Sequence, residues 1–303
     1  MNAVLDQKTD SHYLSSEEVE SFHENGFLGP FDIYPREEAL TKWKKAKIEM
    51  ALSRNKPHES EVVNYDRHLD SAILSEHICR SEIVHRLISL MGADIQCWRT
   101  EMFPKYPGEE GTGYHQVQTY QVGETNKGQL TFTDESSEYL NELTVWTGFT
   151  DATIENGCMT FLPGSNKKWY YDETGHIEYQ PNSKRHNFFG YDYSELRLDR
   201  NWRPEDEEIT SMELSAGQAV IFTAKCVHGS HPNLSDKMRM GFATRYIRPT
   251  VRVYQDIDAL EQYGGRVSLD YWGSVQVAGN DTTGYNRLHS RNLNGLEFPV
   301  PKL

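Results

Sequence analysis

Four cysteines in 303 residues (Cys79, Cys97, Cys158 and Cys226) leave no CxxC pair. Thiols scattered in this way build neither a disulfide framework nor a zinc site, and read as reduced core residues. No apolar run approaches the roughly 20 residues of a membrane span, and a mean hydropathy of −0.70 describes very polar loops and surface. Residues Met1 to Lys8 lack the basic and apolar regions of a signal peptide, so the expectation is a cytoplasmic protein. Positive charge is also scarce: 31 Lys and Arg against 45 Asp and Glu give a net charge of −14. Nucleic acid, which needs a basic face, is therefore not an expected partner, although a local basic patch remains open to an acidic protein. The GxxxxGK(S/T), GxGxxG, GxSxG and HExxH patterns are missing too. Their absence sets aside P-loop and dinucleotide binding, the hydrolase elbow and the zinc-protease helix.

What is present changes character near residue 95. Before it the chain reads as helix. Ser15 and Glu18 form a capping box ahead of Val19 and Phe22, and Gly26 closes that helix. A second helix is predicted over 36–52. A third is predicted over about 81–91, where Ile83, Val84, Leu87, Ile88 and Met91 recur at helical spacing. From Ile95 the period shortens. Strands are predicted over 95–103, 143–150, 219–224, 240–247 and 250–254, with a break at Pro104 and Pro107-Gly108. Short strands with turn signals between them predict one mostly β domain over 1–303. Its core from 95 would be a double-stranded β-helix, the jelly-roll or cupin type, with helical decoration in 1–94. The polar, aromatic-rich stretch of about 167–208 is long for a connection and reads as a lid.

The candidate chemistry lies in Tyr114-His115-Gln116-Val117. A 2-His-1-carboxylate triad holds Fe(II) on one face and leaves positions open for cosubstrate and oxygen. Its usual layout is His-x-Asp on an early strand and a lone His far downstream, followed by a basic residue. Here His115 is followed two residues on by Val117, which ligates nothing and shares its strand face. His228, after the apolar run Ala219-Val220-Ile221-Phe222, is the downstream candidate, and Arg245 the cation for a dicarboxylate cosubstrate. The alternatives are ordinary ones: hydrogen-bonded core histidines, and an ion pair between Arg245 and an acidic side chain. A Cys226–His228 nucleophile pair is conceivable on one strand face, but nothing beside it supplies an oxyanion hole.

Longer segments carry a resemblance. They include Cys97-Trp98-Arg99-Thr100-Glu101, Phe103-Pro104-Lys105-Tyr106-Pro107-Gly108, the stretch Thr144 to Ala152, Phe188 to Tyr193, Met238 to Tyr246, and Tyr263-Gly264-Gly265-Arg266. Through them the chain resembles, almost end to end, the phytanoyl-CoA dioxygenase-like group of Fe(II)/2-oxoglutarate enzymes. Within that group it is most similar to the carrier-protein-dependent non-haem iron halogenases of the syringomycin-biosynthesis type. The resemblance implies His115 and His228 as iron ligands, Arg245 with Thr112 and Trp146 around 2-oxoglutarate, and O2 as co-reactant. It implies chloride in the vacated position, within a pocket of Val117, Tyr120, Thr144 and Ala224, and a substrate channel at Phe189 and Val122. The implied substrate is an aminoacyl group on the phosphopantetheine arm of a carrier protein, for which Lys184-Arg185-His186 is a candidate contact if it is more than a solvated loop. The sequence departs from the halogenase pattern at Val122, where the syringomycin-type enzyme has Asn, and at Val117, where Ala or Gly is usual; the crowding at Val117 leaves a hydroxylase of the same family or a catalytically silent carrier-protein-binding homologue as the alternatives.

Overall fold

The computed structural model describes residues 12–58, 64–121, 127–133, 140–175, 177, 180, 190–262 and 265–301. Val122, Phe189 and the Lys184-Arg185-His186 cluster lie outside them. Helix α1 (Ser16–Asn25) starts at the predicted box: Ser15 Oγ accepts from Glu18 N at 3.2 Å, and the Glu18 carboxylate accepts from Ser15 N at 2.8 Å. Gly26 ends it at φ 82°, a left-handed conformation that glycine adopts without a Cβ penalty. Helix α2 (Arg36–Leu52) lies where its Glu-, Ala-, Lys- and Met-rich composition places it, and α4 (Ser81–Met91) where its periodicity does. Between them the structure adds α3 (Ala72–Ile78), only 7 residues long and too short to show a period. Among the described residues no helix is long and apolar enough to cross a membrane.

The strands are β1 (Phe27–Asp32), β2 (Ile95–Lys105), β3 (Leu130–Thr131), β4 (Glu142–Gly148), β5 (Met159–Phe161), β6 (Thr210–Met212), β7 (Gln218–Phe222) and β8 (His228–Ser230). They continue with β9 (Arg239–Ile247), β10 (Arg252–Val253), β11 (Ala259–Gln262), β12 (Gly265–Ser268) and β13 (Val275–Ala278). Six form one sheet in the order β1-β7-β4-β9-β2-β13, and three form a second in the order β6-β5-β8. The expected break at Pro104 does not occur, because β2 runs on to Lys105 with Pro104 opposite Met240. Residues 100 and 102 send their outward backbone groups to 66 and 64, so by parity Pro104 N also points away from β9. A missing N–H there removes no ladder bond.

Alternation on the six-stranded sheet positions the site. Leu143 and Val145, Ala219 and Ile221, and Phe242 and Tyr246 face the helices in one core that includes Phe22, Trp43 and Leu87. The intervening Trp146, Val220, Phe222 and Ala243 turn the other way and share a second core with Met159, Phe161 and Met212 of the small sheet. Phe161 stacks on Phe27 with centroids 4.7 Å apart, which ties the two sheets together. The chemistry-bearing side chains lie between these sheets.

Candidate active site

His115 forms an antiparallel bridge with His228, each backbone N–H donating to the other's carbonyl at 3.1 Å. That rung adds residue 115 to the open side of β8 and places the two imidazoles with centroids 4.2 Å apart. Each Nδ1 meets a local carbonyl, His115 that of Gly113 at 2.8 Å and His228 that of Cys226 at 2.7 Å. A carbonyl only accepts, so Nδ1 is the protonated nitrogen in both rings and Nε2 carries the lone pair, the tautomer a metal ligand needs. Burial pushes His115 down to about 4, against the hydrogen bond to Gly113, with the Arg245 charge acting the same way as burial. His228 is held well below its ordinary value, first by burial and then by the neighbouring His115. Both rings are therefore neutral near pH 7. Among the described residues no group of three His, Cys, Asp or Glu is placed to hold a metal ion, so these residues offer two nitrogens and no carboxylate.

Residue 117, two positions after His115, lines the cavity beside the two imidazoles. Val117 N donates to Ala224 O at 3.1 Å, and both side chains line one cavity with His115 and His228. Thr112, Tyr120, Thr144, Trp146 and Arg245 line the same cavity, so the structure brings together every described residue of the expected site. The strand carrying His115 is pinned from outside. Gln116 Nε2 donates to the carbonyls of Ser165, Lys168 and Lys225, while its Oε1 accepts from Tyr170 N at 2.7 Å. The Glu173 carboxylate accepts from the backbone N–H groups of Gln118 and Thr119. The described parts of 167–208 thus pack against the site, and Tyr193 brings its ring to 5.0 Å from that of His115.

Arg245 stands differently from the expectation. Its Nη1 donates to the Glu101 carboxylate at 2.8 Å and its Nε to the Tyr120 hydroxyl at 3.2 Å, so the fold itself supplies its anion. The Tyr120 hydroxyl donates to Glu142 at 2.9 Å, and Thr144 Oγ1 and Ala224 N donate to the same carboxyl. Burial raises Glu142 to about 7, opposed by Arg245. Tyr120 adopts φ 55°, a conformation bulky residues rarely take, to reach this network.

A cavity-lining cation with no carboxylate partner among the described residues is Arg239, at the other end of β9. It is 3% exposed, and it donates to the carbonyl of Gly157 from Nε and Nη2 and to that of Phe103 from Nη1. Its guanidinium lies 5.1 Å from the Trp146 ring centroid, and it lines the cavity with Thr112. Two guanidinium N–H groups remain for a ligand, because five are available and three are used. Beside it the Lys105 ammonium, pushed down to about 7 by burial and by Arg239, donates to Ser230 Oγ, which also accepts from Thr112 N. The sequence reading missed Arg239, Glu101 and Glu142, although the first two sit inside the quoted matching segments.

The set fits a mononuclear iron with a chelating dicarboxylate. It has two lone-pair imidazole nitrogens on one rung, an apolar third position, and a buried cation left without its anion. The arrangement is that of a non-haem Fe(II)/2-oxoglutarate oxygenase. Comparison with known proteins agrees. The profile of the phytanoyl-CoA dioxygenase (PhyH) family matches residues 22–241, and the chain belongs to that family. It is similar to the solved structure of CytC3 with Fe(II) and alpha-ketoglutarate, that is, 2-oxoglutarate. Identity is 32% and the TM-score 0.73, over 97% of this chain and 100% of that one. A 2-aminoethylphosphonate dioxygenase of the uncultured bacterium HF130_AEPn_1 is 25% identical over 218 residues, 72% of this chain and 69% of its own. A phytanoyl-CoA dioxygenase domain-containing protein 1 homolog of Dictyostelium discoideum is 30% identical over 103 residues, about a third (34%) of each chain.

Proposed function

We propose that this enzyme is an Fe(II)/2-oxoglutarate halogenase that chlorinates an unactivated C–H bond of an aminoacyl group carried on a carrier protein's phosphopantetheine arm. The observation behind this is Val117, which occupies the place of the third protein ligand and leaves an apolar position beside His115 and Ala224. Bound iron, with 2-oxoglutarate and oxygen, supplies the oxidising power to break such a bond. His115 and His228 hold the metal. Arg239, with Trp146 and Thr112, takes the far carboxylate of 2-oxoglutarate, a role the sequence alone had given to Arg245. The Arg245–Glu101 pair is instead a neutral wall of the cavity. Val117 and Ala224 keep water from the third position, and Glu142 fixes the Tyr120 hydroxyl and Thr144 beside it.

The test is a chloride titration of the oxygen-free Fe(II)–2-oxoglutarate absorption band. Wild type is expected to respond, Val117→Ala to respond at lower chloride because two methyl groups are gone, and Val117→Asp to stay unresponsive. A wild type blind to chloride beside a responsive Val117→Ala would sink the halogenase reading. The bulk of Val117 supports a second reading, a hydroxylase of the same family, which forms product of hydroxylated mass irrespective of chloride. For the tethered substrate the check is intact mass: aminoacyl carrier proteins should gain chlorine, and free amino acids should turn over far less.

A further inference from the structure

We propose that Arg99 heads a second carboxylate-binding subsite in the cavity, filled by the substrate rather than the cosubstrate. Arg99 lies on β2, opposite Arg245 of β9, is 3% exposed and lines the same cavity. Its guanidinium is walled by aromatic rings, Tyr65 at 4.5 Å, Trp98 at 5.2 Å and Tyr254 at 5.9 Å. Among the described residues it forms no ion pair, and its Nε is buried without a hydrogen-bond partner. The nearby carboxylates are committed elsewhere. Glu101 is held by Arg245, and Asp66 by His58 at 2.9 Å and by Thr100 N at 3.0 Å. One further polar atom, Gln129 Oε1, is orphaned, and Gln129 also lines the cavity.

A guanidinium does not escape burial by losing its proton, and a buried N–H without an acceptor is costly. The Asp66 and Glu101 charges act on Arg99, but of its aromatic walls only the Tyr254 hydroxyl offers an acceptor. A planar, bidentate carboxylate matches its N–H edge better than a single-atom anion does. The inference rests on the placement of 2-oxoglutarate at Arg239. With one carboxylate of the cosubstrate there and the other at the metal, Arg99, the second cavity arginine with no carboxylate at hydrogen-bond distance, is left for an anion of another molecule. The Gln129 Oε1 acceptor beside it suits an N–H of that molecule, as in an amino acid. The carboxylate is either the α-carboxylate of a free acid or the side-chain carboxylate of a tethered acyl group.

The experiment uses the protein loaded with Fe(II) and 2-oxoglutarate without oxygen, and calorimetric affinities as readout. The probes are the twenty common amino acids as free acids and as methyl esters, together with carrier protein loaded with glutamyl or with valyl groups. At least one carboxylate is expected to bind, its methyl ester at least tenfold more weakly. Arg99→Lys should weaken the acid at least tenfold. Preference for a free acid or for the glutamyl carrier identifies the source. Equal affinity of acid and ester for the wild type, no binding by any probe, or displacement of the acid by chloride alone overturns the subsite. The acid-to-ester comparison is made on the wild type, so it stands even if Arg99→Lys fails to fold. Affinity for 2-oxoglutarate should follow Arg239→Lys instead, and its failure to do so would overturn the cosubstrate placement rather than the reading of Arg99's surroundings.

Discussion

Two buried arginines six residues apart share the inward face of β9, and their neighbours make them unequal. Arg239→Ala removes the β9 arginine that has no carboxylate of its own. It should raise the 2-oxoglutarate requirement about 30-fold or more, as losing one side of a buried charge pair costs at least about 2 kcal/mol. Arg245→Ala should act on stability, stranding Glu101 at a cost of about 3–5 kcal/mol in denaturant unfolding. A larger 2-oxoglutarate effect from Arg245 than from Arg239 would reverse the assignment. Glu142 adds a pH dependence. Its folded value of about 7 lies above the ordinary 4.5, so the folded state keeps a proton that the unfolded chain releases. Stability therefore falls as pH rises from about 4.5 to 7, by roughly 3 kcal/mol at about 1.4 kcal/mol per unit. Glu142→Gln should flatten that part of a stability-versus-pH curve and be the more stable protein at pH 8. The sequence could point to an arginine after the second histidine but not choose between two of the same parity. Their partners, Glu101 and the Gly157 carbonyl, are 144 and 82 residues distant.

At the scale of elements, the segment carrying His115 owes its place to side chains that do no chemistry. Glu173→Ala leaves the N–H groups of Gln118 and Thr119 unmatched in a buried setting. It should cost about 2–3 kcal/mol by chemical denaturation and weaken metal binding, because the His115 rung loses its outer support. Gly241 makes room for its neighbour strand, since a Cβ there would lie 1.8 Å from the Trp146 ring. Gly241→Ala should therefore displace Trp146 and raise the 2-oxoglutarate requirement more than it lowers the melting temperature, whereas an unaffected requirement would exclude Trp146 from that subsite. Capping made α1 legible, composition α2 and periodicity α4, and apolar runs located β4, β7 and β9. The strand predicted over 250–254 holds β10, but β3, β5, β6 and β8, of two or three residues each, were hidden. Pairing with distant partners rather than local pattern creates them, as when Phe161 meets His228.

For the molecule as a whole, the cavity is roofed by both sheets and by parts of 167–208, so its ligands act as links between them. Stripping Fe(II) and 2-oxoglutarate should lower the melting temperature and speed amide exchange at 112–120 and 224–231 above all. Restoring each at about 100 times its Kd returns about 2.7 kcal/mol. Uniform protection across the fold would argue that the metal lies elsewhere. The rung shared by His115 and His228 has one more consequence. Its two bonds, like that from Val117 to Ala224, are made by main-chain atoms and are indifferent to which side chain each residue bears. A replacement at 117 therefore alters what the metal meets without disturbing the ladder that presents it. In hereditary terms, on the proposed assignment a single changed codon at 117 would exchange one reaction outcome for another on an unaltered scaffold.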